Sequence, residues 1–263
     1  MQAALYTREQ QGTGQFDGGK ITERKPVGFP GEKSAVLRVG PLFYWSWAFA
    51  KEEGYIPPHP HQGFEIVTYV VSGRTAHGDS LGTRSEVGAG GAQVMQTGSG
   101  VYHEERFIGP DMEAFQIWFE PNLRETLLHK PTYRQYEPEE FPVRRERGYA
   151  LKSVIGGEAP IRLVSDVRMF DLTLEPGETY EFALPAGRSL AALAIRGGGQ
   201  WTWEAAEGTA AGMKPFGETD FMVLQGSSLR EERAAVTASG QAPSRLILIE
   251  APTHVNYPLL AKH

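Results

Sequence analysis

The chain is written in short runs where apolar and polar side chains alternate, and the alternation restarts after nearly every glycine or proline. In LFYWSWAFA, Phe43, Trp45, Trp47 and Phe49 take every second place, with Tyr44, Ser46 and Ala48 between them. Successive side chains of a strand point to opposite faces, so this run predicts a strand with one heavily buried face. Its rings are assigned to core filling rather than to a stacking platform for a ligand. The pattern returns in EIVTYVVSG (65–73) and EAFQIWFE (113–120). Beyond residue 148 it returns in MFDLTLEPGETYEFALP, SLAALAIRGGGQWTWE, FMVL and RLILIEAP. Ser72-Gly73 is expected to turn the chain, and TAHGDSLGT to be turn-like. A single short helical turn is predicted at Leu123–Leu128. Turn signals about 8–12 residues apart belong to antiparallel sandwiches and barrels.

Residues 137–148, EPEEFPVRRERG, are charged, contain proline and carry few apolar side chains, which marks a domain boundary. The two halves share one strand-and-turn grammar. The expectation is therefore an all-β chain of two tandem jelly-roll barrels, 1–136 and 137–263.

Composition narrows the chemistry. The 263 residues include 31 glycines and 18 prolines, in keeping with many turns. A formal charge of −6 without a basic block argues against a nucleic-acid or anionic-membrane surface. The chain has no cysteine, so thiol chemistry is excluded and any metal must be held by nitrogen and oxygen. The N-terminal stretch lacks the cationic and apolar regions of a signal peptide. No apolar run approaches the roughly 18 residues that span a bilayer. A cytoplasmic protein is expected.

The candidate chemistry lies in PPHPHQGFEIVTYVVSG (57–73). His59 and His61 stand at i and i+2, on one face of a strand and about 6–7 Å apart, so both can reach one ion. His103 and Glu105 repeat that spacing in GSGVYHEERF (98–107). Parity puts Glu104 on the opposite face, and Glu65, in phase with His61, is a competing carboxylate. His77, His129, His254 and His263 are assigned structural or surface roles, and Gln116 and Trp118 lie on one strand face where they can line a pocket. No histidine occurs between 130 and 253, so a histidine-based site belongs to the first half. Neither GxSxG nor GxxxxGK[ST] is present. Gly197–Gly199 opens no helical pattern, so a dinucleotide site is not expected there.

PHPHQGFEIVTYVVSG, HGDSLG, GGAQVMQTGSGVYHEE and FQIWFEP closely resemble the successive signatures of the pirin family, within the cupin superfamily. The resemblance is strong over about residues 30–136 and looser through LEPGETYEFALPAG. It implies a bicupin whose C-terminal barrel lacks metal ligands, and a mononuclear metal on His59, His61, His103 and Glu105. Iron is the first expectation, with Mn, Ni, Cu, Co or Zn as alternatives. Gln62 stands where the family commonly has Arg, and Val94-Met95-Gln96-Thr97-Gly98 where it has Trp-Met-Thr-Ala-Gly. These departures are expected at the pocket mouth. Some members of that family resemble quercetin 2,3-dioxygenases and others act as nuclear transcription cofactors, so the resemblance does not choose between two readings. The first is a metal-dependent quercetin (flavonol) 2,3-dioxygenase acting on a small aromatic substrate with O2, in which Glu105 also serves as general base. The alternative is a non-catalytic metal-binding regulator with a protein partner.

Overall fold

The computed structural model describes residues 1–204 and 211–262, and strands dominate it. The chain forms two compact units. One comprises residues 11–140, 163–165 and 256–263, the other residues 1–10, 141–162 and 166–255. The main crossing from one to the other falls between Glu140 and Phe141, and both chain ends belong to the unit built from the opposite half.

The first unit is organised around two long strands, Glu65–Asp79 and Val101–Phe119, which pair along their lengths. Towards Phe119 the second of these also pairs with Leu42–Ala50, followed by Ile21–Val27 and Gly12–Phe16. On the other side, Ala92–Gln96 lies against residues 65–69, with Thr132–Tyr136 beyond it. In the remaining halves the neighbours change: Gly54–His61 pairs with residues 101–107, and Arg84–Gly88 with residues 74–78. One pair of strands thus serves both layers of the barrel.

The predicted turn at Ser72-Gly73 is not a turn. The register shifts on either side of Ser72 and the strand continues to Asp79. Gly73 has φ +71°, and a Cβ there would meet Met112 Cα at 2.8 Å. Glycine permits the bulge and the close approach, so one strand changes layers without ending. The helical turn does form, at Leu123–Thr126, where the Asn122 side chain caps the Arg124 N–H.

The alternating aromatic strand is covered on both faces. Trp45 and Trp47 are buried against Phe115, while Tyr44, Ser46 and Ala48 face a cavity. A separate cluster of Ile21, Ala50, Val70, Val87, Phe107 and Met112 closes the interior near the bulge.

Residues 256–262 complete this unit. Fully buried Glu120 accepts hydrogen bonds from Arg38 Nη1 at 2.8 Å and from the Leu260 N–H, while Tyr257 Oη donates to the Glu120 carbonyl. Lys262 Nζ donates to the carbonyls of Gly28, Leu37 and Phe43, and burial pulls its pKa down to about 8.

The second unit has a seven-stranded and a four-stranded antiparallel sheet. Leu172, Leu174, Trp201, Leu224, Val236, Leu246 and Leu248 fill its core. Residues Gln2–Tyr6 add an edge strand to the larger sheet by pairing with Phe221–Gln225. The Met1 ammonium lies 2.7 Å from Glu232 Oε1. The fold is therefore all-β, as the patterning predicted, and its two units match the bicupin that the resemblance implies. No helix among the described residues is long and apolar enough to cross a membrane.

Candidate metal centre

The Gly54–His61 strand brings two histidines to the long strand that carries the third. His59 is directly opposite His103, with ring centroids 4.3 Å apart, and His61 is opposite Val101. The irregularity in this ladder falls at Pro57-Pro58. The partner strand pairs without interruption from His103 to Glu105 against Asp79 to His77. His103 and Glu105 therefore share the inward face, and both are buried. Glu104 points away, accepting from Tyr55 Oη at 2.6 Å.

One ligand nitrogen from each of His59, His61 and His103 lies within 4.8 Å of the others. His59 Nδ1 lies 2.8 Å from the Pro57 carbonyl. A carbonyl only accepts, so Nδ1 carries the proton and Nε2 keeps its lone pair. Both nitrogens of His103 and Nε2 of His61 are buried without a hydrogen-bond partner. Burial, and then the neighbouring imidazoles, lower the pKa of each of these two rings to about 3. They are neutral at ordinary pH. Converging buried lone pairs without protons or partners are costly unless a cation sits among them. Three imidazoles suit a divalent transition metal, so the residues fit the group that the resemblance implies.

Glu105 stands beside this cluster rather than among its three converging nitrogens. Both of its oxygens accept from Gln116 Nε2, at 2.9 and 2.7 Å, and Gln116 Oε1 accepts from Trp118 Nε1 at 3.1 Å. The indole thereby fixes which end of the Gln116 amide faces the carboxylate. Burial pushes the Glu105 pKa up, opposed by His59 and the Gln116 hydrogen bond. Glu65 is engaged elsewhere. Its oxygens accept from Gln96 Nε2 and from the Val164 and Ser165 N–H groups, which ties residues 163–165 to the strand.

The cluster borders a cavity of about 450 Å³. His59, His61, Glu105, Gln116 and Trp118 contribute to it, and Phe29, Ile56 and Phe107 supply apolar wall. The departures in the pirin-like motifs lie off this cavity, contrary to expectation. Gln62 bonds the Ser99 carbonyl, Gln96 bonds Glu65, and Val94 and Met95 are buried.

His77 takes the hydrogen-bonded structural role assigned to it, but on a strand rather than in a turn-like segment. It is buried, donates from Nε2 to Asp79 Oδ2 at 2.9 Å, and stacks on Tyr133 at 4.4 Å between ring centroids. Its ring lies 5.4 Å from that of His103. Thr75, His77 and Asp79 keep strand parity and are all buried, a signal that reading Gly73 as a strand end hides. His129 and His254 are exposed, and His263 lies outside the described residues.

A family model described as Pirin matches residues 46–119, from the aromatic strand to the end of the long strand bearing His103. A pirin-like protein of Caulobacter vibrioides is 31% identical over 201 residues, covering 74% of this chain and 76% of the relative. The chain belongs to the pirin family. A second relative in that set, from Pseudomonas aeruginosa, is 34% identical over 136 residues and carries the provisional name quercetin 2,3-dioxygenase. That match covers 50% of this chain and 56% of the relative, and others likewise span about half of the relative's length. Among solved structures, the bacterial pirin YhhW of Escherichia coli in complex with nickel(II) has a TM-score of 0.74 at 21% identity. It covers 95% of this chain and 99% of its own, and establishes the pirin fold.

Proposed function

We propose that this pirin is a metal-dependent flavonol 2,3-dioxygenase of the quercetin-cleaving type, with iron held by His59, His61 and His103 and with Glu105 as the fourth ligand. One observation carries the reading: ligand nitrogens of three histidines, those of His61 and His103 buried without partners, converge at the edge of an aromatic-walled cavity that is also lined by the Glu105 carboxylate. The provisional name of the Pseudomonas relative supports it.

A carboxylate that is both buried and ionised needs a nearby positive charge, and Glu105 has only a neutral amide donor. A cation on the three histidines would supply that charge. When bound, the ion provides a Lewis-acidic, redox-capable centre for the substrate oxygen and O2.

The remaining steps belong to the chain. Trp118, Phe29, Ile56 and Phe107 hold the flat substrate and exclude water. Glu105 accepts the proton of the flavonol hydroxyl as the substrate enters, leaving an electron-rich ring system for O2. Gln116, fixed by Trp118, keeps the receiving oxygens in place. Overall, one O2 is consumed: its two oxygens become bonded to the two carbons that flank the hydroxyl-bearing carbon, the two carbon–carbon bonds to that carbon break, and it leaves with its own oxygen as carbon monoxide.

The test loads the protein with metal, binds quercetin under argon and then admits O2. Stoichiometric O2 uptake with carbon monoxide release is the expected result. Metal-replete protein that binds flavonol and yields neither overturns the reading.

A further inference from the structure

The cavity beside the histidines is lined by apolar side chains and by two polar sets. One is the histidine and Glu105 region. The other is formed by Glu23, Lys25, Glu32, Tyr44 and Ser46. Glu23 lies two strands across the sheet from Gln116, because residues 21–27 pair with 42–50, and 42–50 pair with 112–119. Ser46 of the same set pairs directly with Gln116, so the two polar sets adjoin and follow one line from Glu105 through Gln116, Ser46, Glu23 and Lys25 to Glu32. A flat, multi-ring molecule seated at Glu105 extends along that line.

The second patch is a connected set. Glu23 Oε2 accepts from Tyr44 Oη at 3.0 Å and from Ser46 Oγ at 2.5 Å, and Glu23 Oε1 lies 2.8 Å from Lys25 Nζ. Lys25 Nζ also reaches Glu32 Oε1 at 2.6 Å, while Glu32 Oε2 accepts the Phe29 N–H at 2.8 Å. Glu23 and Lys25 are buried. Two carboxylates face the Lys25 ammonium, and Lys262 Nζ stands 5.0 Å from the Phe29 ring centre beside them. The carboxylate oxygens have more acceptor sites than Lys25, Tyr44, Ser46 and the Phe29 N–H fill. Wall packing alone would be served at lower cost by apolar side chains. The excess of acceptors specifies what the patch recognises: groups that bring hydrogen-bond donors.

We infer that Glu32, held by Lys25 within the set that Glu23, Tyr44 and Ser46 complete, binds the end of the substrate remote from the metal and selects aromatic ligands with hydroxyl groups there. This rests on the flavonol reading and adds a specificity that the reading does not contain. The ligand spans the cavity with its reacting oxygen towards Glu105 and its distal hydroxyls donating to Glu32.

Two flavonols separate the possibilities. Quercetin carries two hydroxyls on the ring remote from the reacting one, and galangin carries none. Binding of each to metal-loaded protein under argon is followed by quenching of tryptophan fluorescence, to which Trp118 in the cavity wall contributes. Quercetin is expected to bind about tenfold more tightly, the scale of one or two hydrogen bonds to a charged acceptor. Glu32→Gln should remove most of that preference by weakening quercetin while leaving galangin unchanged. Ser46→Ala, a smaller change within the same set, should reduce the preference in the same direction. Equal affinities in the unmodified protein overturn the inference and leave the dioxygenase reading standing. So does a Glu32→Gln protein that loses both ligands equally, since that marks wall packing. Selective binding without carbon monoxide release overturns the reaction and keeps the selectivity. Failure of either flavonol to bind overturns both.

Discussion

At the scale of single residues, the centre depends on lone pairs held in place before an ion arrives. His103 has no hydrogen bond to lose, and His59 is oriented through the Pro57 carbonyl. His103→Ala is expected to reduce bound metal, measured by elemental analysis after dialysis, to less than about a tenth of a stoichiometric load. Gln116→Leu should retain metal and act through Glu105. Without the amide donor, the lowering contribution to the carboxyl pKa is lost and that pKa rises further. Less of Glu105 is then ionised at a given pH. The acid limb of the pH–rate profile should move to higher pH, and an unmoved profile would remove Gln116 from the positioning role. Strand parity made His59, His61, His103 and the inward face of Glu105 legible from the chain. The Glu105–Gln116–Trp118 sequence of hydrogen bonds was not, because the first two residues lie in different layers of the barrel.

At the scale of elements, the strand Glu65–Asp79 decides the architecture by changing partners without ending. Gly73 makes that possible, with positive φ and Met112 backbone packed where a side chain would begin. Gly73→Val combines left-handed strain of about 1–3 kcal/mol with a steric clash. Urea unfolding should show a loss at or above the upper part of that range. The same misread glycine hid the burial of His77, since a strand assumed to stop at residue 73 leaves Thr75, His77 and Asp79 without parity. Glycine after serine is a strong turn signal. Whether such a pair turns or bulges depends on the strand opposite.

At the scale of the molecule, distant segments supply charges that neighbouring sequence does not balance. Fully buried Glu120 is met by Arg38 and by the Leu260 N–H, 140 residues away. Arg38→Ala leaves that carboxylate underpaired and should cost about 3 kcal/mol in denaturant unfolding. The histidine cluster sets the acid stability of metal-free protein. Unfolded imidazoles take up protons near pH 6.5, whereas His61 and His103 in the fold do so only near 3. The unfolded chain therefore binds more protons across that window, and acidification favours unfolding. The urea midpoint of metal-free protein should fall steadily between pH 6.5 and 4. Bound metal should flatten the slope by stabilising the folded state until its ligands are protonated.

Sequence by itself determined what is governed by two-residue periodicity and by composition. It determined alternating strands such as Leu42–Ala50, the all-β class, the common face of each histidine pair, the confinement of a histidine-based site to the first half and the exclusion of thiolate ligands. These follow from local sterics and from counting, which need no partner strand. Tertiary structure alone decided that Glu65 would bind backbone N–H groups while Glu105 faced the cavity, and that Trp45 and Trp47 would turn away from it while Tyr44 and Ser46 lined it. It also carried the two chain ends to the opposite units. Each of these outcomes depends on which segments pair across tens or hundreds of residues, and period-two patterning is blind to that choice.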